Sequence, residues 1–146
     1  MLARGVPVRI AWVRDFRDLV CWQLSDELKC EVFAFTAIGP ASRDFKYRDQ
    51  VRDSSAAAPR NIAEGFGRFR PREFARFLEF ARASLMETQS SLIDGRDSGY
   101  LFPMLHSRLA NLARAALKAT TNLMLSKQKQ AGPGSQKRRS RGTLNQ

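Results

Sequence analysis

Apolar side chains recur at the helical spacing of three and four residues in four stretches of the chain, and no stretch convincingly alternates apolar and polar residues. The first stretch predicts a helix from about Asp18 to Ile38. Gly39 and Pro40 are expected to end it, because glycine tolerates left-handed torsions and proline cannot continue a helix. The side chains expected in the core are Cys21, Leu24, Leu28, Val32 and Phe35.

The second stretch predicts a helix from about Arg43 to Gly65 that contains a proline. Pro59 removes a backbone donor and clashes with the preceding turn, so we expect a kink or a local break there. Gly65 and Gly67 are expected to end this helix. Its predicted core side chains are Val51, Ser55, Ala58, Ile62 and Phe66.

Two further helices are each expected to open at a proline, Pro71 and Pro103, where the missing N–H costs nothing. The segment between them, Asp94 to Tyr100, is predicted to be a turn. The third helix would bury Phe74, Phe77, Leu78, Ala81, Leu85 and Leu92, and the fourth Leu105, Leu109, Leu112, Ala116 and Leu123. Long helices joined by short turns predict an all-α, antiparallel up-and-down four-helix bundle over residues 16–130.

Several apolar residues lie outside these four stripes, namely Trp22, Phe33, Phe80, Met86, Ala110, Ala113, Leu117 and Met124. One interpretation is that they form a second apolar surface that packs against another copy of the chain. The other is that the bundle simply has a wide core. The pattern leaves both open.

Charge is distributed unevenly along the chain. The 146 residues carry 25 basic and 14 acidic side chains, a net charge of +11, and every acidic residue lies at or before Asp97. Such an excess attracts polyanions, although it can also serve solubility alone. Residues 131–146 are rich in Gly, Pro, Ser, Gln, Lys and Arg and predict a disordered basic tail, and residues 1–15 predict a poorly ordered extension.

Cys21 and Cys30 are nine residues apart on one predicted helix and cannot bridge, so they are expected to be free thiols of a cytoplasmic protein. No run of about 18 uncharged apolar residues is present, and no membrane partner is expected. His106 is the only histidine, and no cluster has metal-ligand spacing. We expect no metal and no cofactor.

Residues 65–72 interleave aromatic side chains with arginines, a composition that can stack bases and hold phosphates. Phe66 and Phe69 are expected in the core. The candidate nucleic-acid-binding residues are an exposed corner of Arg68, Arg70, Arg72 and Arg76, and a basic C-terminal set of Lys127, Lys129, Lys137, Arg138, Arg139 and Arg141. Basic tails also occur as inert solubilising ends.

Asn61 and Glu64 lie three residues apart near Pro59. They are predicted to be buried and to satisfy backbone groups that the proline frees, with Arg52 or Arg60 as a counter-charge. A catalytic pair would need a base of tuned pKa and a nucleophile within reach, and nothing nearby supplies either. No catalytic residue is predicted, and the protein is not expected to be an enzyme.

The run from Arg60 to Arg68, Arg-Asn-Ile-Ala-Glu-Gly-Phe-Gly-Arg, resembles the signature of the four helix bundle protein family, known from open reading frames in intervening sequences of large-subunit ribosomal RNA genes. Agreeing segments are Phe16–Val20 with Trp22 and Gln23, Arg72–Phe74 with Arg76–Leu78, Ser84 and Leu85 with Glu87, and Gly99–Leu101. The resemblance implies an up-and-down bundle that forms a ring, commonly a pentamer. It marks Arg52, Pro59, Asn61, Glu64, Gly65, Gly67 and Glu87 as structural motif residues.

A more distant resemblance is to the accessory protein of diversity-generating retroelements, a basic pentamer that binds nucleic acid and a reverse transcriptase. The leading hypothesis is therefore a homo-oligomer that binds RNA or DNA without reading its sequence. The alternative is a scaffold or adaptor that contacts another protein and uses its charge for solubility. A continuous basic surface would favour nucleic acid, and scattered arginines would favour the scaffold.

Overall fold

The computed structural model describes residues 13–133, and the long regular elements of this part of the chain are all helical. A 3-10 turn at Phe16–Asp18 precedes α1 (Val20–Thr36), α2 (Gly39–Arg43), α3 (Phe45–Phe66), α4 (Pro71–Asp97) and α5 (Pro103–Ala131). No strand occurs between residues 13 and 133, and the predicted all-α class is confirmed. Apart from residues 13–15 and 131–133, the predicted N-terminal extension and basic tail lie outside the described residues.

The four long helices, α1, α3, α4 and α5, pack side by side in a closed cycle in which α3 touches α1 and α4, and α5 touches α4 and α1. Cross-helix hydrogen bonds give their directions. Arg52, in the first half of α3, donates to Thr36 at the end of α1, and Tyr47 at the start of α3 donates to Ser91 near the end of α4. Neighbouring helices therefore run antiparallel, and α2 closes the corner between α1 and α3.

The predicted stripes form the core in two clusters, except that Phe77 is only partly buried and belongs to neither. The larger one is built around Leu28, Val32, Val51, Leu85 and Leu109, and the smaller one around Cys21, Ile62, Phe74, Leu78 and Met124. Because all four long helices supply side chains to both clusters, their burial is the main force that holds the bundle together.

The residues outside the stripes divide between the two interpretations of the sequence. Ala113 and Met124 are buried, and Trp22 and Leu117 pack against the core, as a wide core requires. Of the remaining residues of this set, the three large ones are 40–43% exposed: Phe33, Phe80 and Met86. Only these three large residues of the predicted set therefore remain available to a partner.

Glycines near the helix ends have different roles from those predicted. The first helix ends at Thr36, and Gly39 and Pro40, which were expected to end it, instead open α2, with Gly39 at φ +67°. Gly65 does not end α3, because the helix continues to Phe66. Gly67 caps that helix with φ −70°, a torsion that any residue adopts. Gly65 is instead buried where α4 crosses α3, and a Cβ atom there would lie 2.7 Å from Phe74 Cδ2.

The break predicted at Pro59 is wrong. The proline is buried inside an uninterrupted α3. The Asn61 side chain donates to the Ala57 carbonyl at 2.9 Å, which is not the carbonyl that loses its donor to Pro59. Glu64 is exposed and pairs with Arg68 at 3.2 Å, so the predicted buried carboxylate is also wrong. Glu64 faces outward because Ile62 and Gly65 take the inward positions of this turn.

Two tyrosines, Tyr47 and Tyr100, connect neighbouring elements by hydrogen bonds at the end of the bundle where the α4–α5 turn lies. The Tyr100 hydroxyl donates to Asp44 Oδ2 at 2.6 Å, and Tyr47 N–H donates to Asp44 Oδ1 at 3.1 Å. These hydrogen bonds hold the pKa of the Asp44 carboxyl below its usual range, and the one from Tyr100 has the larger effect. Burial raises the pKa of Tyr47, whose hydroxyl donates to the Ser91 carbonyl at 2.8 Å. The start of α3 is thereby tied to the end of α4 and to the turn before α5.

Candidate nucleic-acid interface

The turn between α3 and α4 is short and has both ends fixed. Gly67 N–H donates to the Ala63 carbonyl at 3.1 Å and closes α3, while Pro71 occupies the first turn of α4. Arg70, which precedes the proline, is extended at φ −90° and ψ 125°, as the proline ring requires. The backbone of the turn is therefore defined at both ends.

All four arginines predicted at this corner are exposed, and they are called the arginine corner below: Arg68, Arg70, Arg72 and Arg76. Two of them lie over aromatic rings, with Arg68 5.1 Å from the Phe77 centroid and Arg76 5.7 Å from the Phe80 centroid. Such contacts support the side chain and leave the guanidinium edge open to solvent.

Acidic neighbours neutralise this corner only in part. Arg68 also pairs with Glu64, but an exposed pair of this kind contributes only about 0–1 kcal/mol and can exchange its partner. Arg70 makes no ion pair within residues 13–133. From residue 60 to residue 82 the sequence has six basic and three acidic side chains, so the end of α3 and the start of α4 keep a positive excess.

Phe69, at the centre of this turn, was predicted to be in the core, and the prediction is wrong. Its side chain is 101% exposed, as open as in an extended peptide. Phe66 behaves closer to expectation, since it is half-buried and packs edge-on against the Phe74 ring at 6.3 Å. Gly67 and Pro71, which bracket Phe69, were the sequence signal for its exposure.

The far end of α5 reaches the same end of the bundle. Lys127 Nζ lies 5.4 Å from the Phe74 ring centroid, which brings this lysine beside the first turn of α4. Lys129 is exposed and borders an open groove with Leu125 and Pro133. Lys127 and the arginine corner therefore lie at the same end of the bundle. The other predicted binding residues, Lys137, Arg138, Arg139 and Arg141, lie outside the described residues.

Arg52 has a structural role that the sequence did not reveal. Its Nε donates to Thr36 Oγ1 at 2.8 Å and its NH2 group donates to the Phe33 carbonyl at 3.3 Å, so it satisfies the C-terminal end of α1. Its guanidinium also lies 4.7 Å from the Phe33 ring centroid. Arg52 is therefore not a counter-charge for Glu64. Another motif residue, Glu87, is exposed on α4.

The described part of the chain offers few groups for metal or thiol chemistry. Within residues 13–133 no group of three or more His, Cys, Asp or Glu side chains is placed to hold a metal ion. None of the helices there is both long and apolar enough to cross a membrane. Cys21 and Cys30 are both free, and burial raises the pKa of the Cys21 thiol to about 11.

Comparison with known proteins agrees with the resemblance seen in the sequence. Residues 17–122 match the model of the family described as 23S rRNA-intervening sequence protein, a span from the 3-10 turn through most of α5. No curated protein matches the sequence. Since the family match covers well over half of the chain, the protein belongs to the 23S rRNA-intervening sequence protein family.

Proposed function

We propose that this protein is a non-enzymatic, self-associating helical bundle that binds RNA through the phosphate backbone, without reading its sequence. The observation that carries the proposal is the arginine corner. Four exposed arginines lie on one short turn and the first turns of α4, and Lys127 of α5 lies at the same end of the bundle. Clustered cations at one end of a molecule are the electrostatic footprint of a polyanion-binding surface.

The physical basis is the release of counterions from the nucleic acid. Each cation that replaces a condensed counterion on a phosphate adds favourable free energy, which falls as salt rises. The charges of α5 add to the effect, because residues 103–131 contain five basic side chains and no acidic one. Beyond Pro133 the chain continues with four more basic residues within eight positions, tethered to this same end of the bundle.

RNA is the polyanion to test first. The family description refers to 23S rRNA, and the exposed aromatic and arginine side chains of the α3–α4 turn are groups that nucleic-acid-binding surfaces use. Guanidinium groups also match phosphate geometry better than ammonium groups do. The corner is made of arginine alone.

The test is fluorescence anisotropy with a labelled single-stranded RNA of mixed sequence, titrated at several salt concentrations. The corner variant replaces Arg68, Arg70, Arg72 and Arg76 by Ala. For single strands the slope of log affinity against log salt is about −0.7 per phosphate neutralised, so losing four contacts should make it shallower by nearly three. The loss of affinity should be the same for unrelated RNA sequences.

A matched control removes four exposed cations from the opposite end, with Arg43, Lys46, Arg96 and Arg108 replaced by Ala. It changes net charge equally, so an effect of net charge alone would appear in both variants. We expect the control to keep most of the affinity and most of the salt slope. Equal losses in the two variants would contradict a localised binding surface.

A chain shortened by residues 134–146 separates tail from corner. It removes Lys137, Arg138, Arg139 and Arg141, so binding should weaken, with a further loss of slope of up to about three, but should not vanish. Combining the truncation with the corner variant should abolish most of the remaining affinity.

The alternative function, an oligomeric scaffold or adaptor, is favoured by a different observation. Phe33, Phe80 and Met86 remain partly exposed on α1 and α4, and apolar side chains of this size suit contacts with protein. Wild-type protein that binds no RNA at low salt would rule out the RNA proposal. The scaffold would then be the function to pursue.

A further inference from the structure

The exposed side chain of Phe69 is not explained by folding. Burying an aromatic ring is one of the larger sources of folding free energy, yet this ring touches solvent on all sides at 101% exposure. It does not cap a helix, and it takes part in none of the ring contacts found within residues 13–133. The short turn presents it at the outermost point between α3 and α4.

The surroundings of Phe69 are cationic. Arg68 and Arg70 are its sequence neighbours, and Arg72 follows within the first turn of α4. The backbone of the turn is held at both ends by the Gly67 cap and by Pro71, which limits the backbone freedom lost on binding. An exposed ring whose two neighbours in the sequence are arginines has the groups that a nucleotide offers partners for, a flat base and its adjacent phosphates.

Granted the RNA binding proposed above, on which this rests, we infer that Phe69 is a stacking platform for an unpaired base and that the arginines beside it hold the adjacent phosphates. The ligand class is single-stranded RNA. In a duplex the base faces are already stacked on each other and are closed to a protein side chain. Stacking on an aromatic ring accepts any base, so this platform selects strandedness and not sequence.

A second exposed phenylalanine provides a matched control. Phe102 is 76% exposed and also precedes a proline at the start of a long helix, α5. It lies at the other end of the bundle, and its nearest basic residues in the sequence are Arg96 and Arg108. Both sites are exposed phenylalanines in turns that precede a long helix, whereas adjacent arginines are present only at Phe69.

The experiment compares three probes of equal length: single-stranded RNA, duplex RNA, and an abasic strand that keeps the phosphates but has no bases. Base–aromatic stacking is worth enough that Phe69→Leu should weaken binding of single-stranded RNA by about fivefold or more. The same variant should bind the abasic strand and the duplex as the wild type does. Phe69→Trp should keep the affinity, and Phe102→Leu should change nothing. Circular dichroism checks that each variant is folded.

The outcomes separate this inference from the proposed function. If the wild type binds single-stranded RNA and Phe69→Leu binds it equally well, the platform is refuted while RNA binding stands. If the variant loses affinity equally for the abasic strand, the ring acts through the phosphate contacts and stacking is refuted. If Phe69→Leu instead reduces self-association and leaves RNA affinity unchanged, the ring belongs to a contact between copies. Wild-type protein that binds no probe at low salt overturns the proposed function and this inference together.

Discussion

Replacing Gly65 by alanine tests how closely α3 and α4 approach each other. A Cβ atom added at this position would lie 2.7 Å from Phe74 Cδ2 and 2.8 Å from Phe77 Cβ. The Phe77 Cβ atom is attached directly to the backbone of α4 and cannot rotate away. The Phe74 ring is buried in the smaller core cluster, so it has little space to move. The new methyl group can be accommodated only if α4 shifts.

Two effects of opposite sign set the size of the change. Overpacking a well-packed core by one group costs typically about 1–3 kcal/mol. Alanine in place of glycine within a helix gains up to about 1 kcal/mol, because the unfolded chain has less freedom to lose. Since α4 itself must move, we take the upper half of the cost and expect Gly65→Ala to lower the free energy of unfolding by roughly 1–2 kcal/mol.

Gly67→Ala is the matched control two residues away. Gly67 has φ −70°, and a Cβ atom there would meet the Glu64 carbonyl oxygen at 3.4 Å and the Ala63 carbonyl oxygen at 3.8 Å, which are ordinary contacts. The substitution should therefore be neutral or stabilising by up to about 1 kcal/mol. Urea unfolding followed by circular dichroism, at two protein concentrations to account for self-association, measures both variants. A Gly65→Ala protein as stable as the Gly67→Ala protein would refute the close approach of α3 and α4.

Three further predictions address other parts of the fold. Asp44→Asn should be less stable than the wild type at neutral pH. The pKa of Asp44 is lowered in the folded state, so the carboxylate's contribution to the free energy of unfolding is fully present above the unfolded pKa of about 3.9 and is lost as pH falls through the folded pKa. Urea midpoints of variant and wild type that still differ equally in strong acid would contradict this. Pro59→Ala should raise the unfolding free energy by about 1 kcal/mol, because a helix-propensity gain of about 3 kcal/mol exceeds the loss of two buried ring methylenes at about 0.8 kcal/mol each. A lower thermal midpoint would show that packing of the proline ring contributes more than this. Phe80→Glu should shift sedimentation towards the monomer if its exposed ring lies in a contact between copies, and wild-type protein that is monomeric at micromolar concentration would exclude self-association.

Most of the helical architecture was predictable because the physics that sets it is periodic. The stripes of Leu28 and Val32 on α1 and of Leu85 and Leu92 on α4 are buried as predicted, since each helix has one apolar face to hide. The starts of α4 and α5 at prolines were also predictable from local chemistry. Both signals depend only on the spacing or identity of nearby residues.

The interior of α3 was harder to predict, because tertiary packing there outweighs local preference. Pro59 and Gly65 both weaken an isolated helix, and the sequence therefore suggested a break at the first and an end at the second. In the bundle both positions are buried, and α3 continues through them, as the packing of α1 and α4 against it allows. Gly65 lowers helix propensity, but its missing side chain leaves the space that Phe74 and Phe77 occupy.

The candidate site shows why Phe69 was misplaced while its neighbours were not. Helical spacing assigns a residue to a face only as long as the helix continues, and α3 and α4 have different phases on the two sides of their turn. Arginines are expected at the surface whatever the phase, so the arginine corner was found from residue type alone. An aromatic residue is not expected at the surface in this way, and the apolar character of Phe69 favoured a position in the core. The decisive information was the pair of bracketing residues, Gly67 and Pro71, which end one helix and begin the next with Phe69 between them. Phe69 belongs to the apolar stripe of neither helix, and its exposed ring, with Arg68 and Arg70 as its neighbours in the sequence, is available to a ligand.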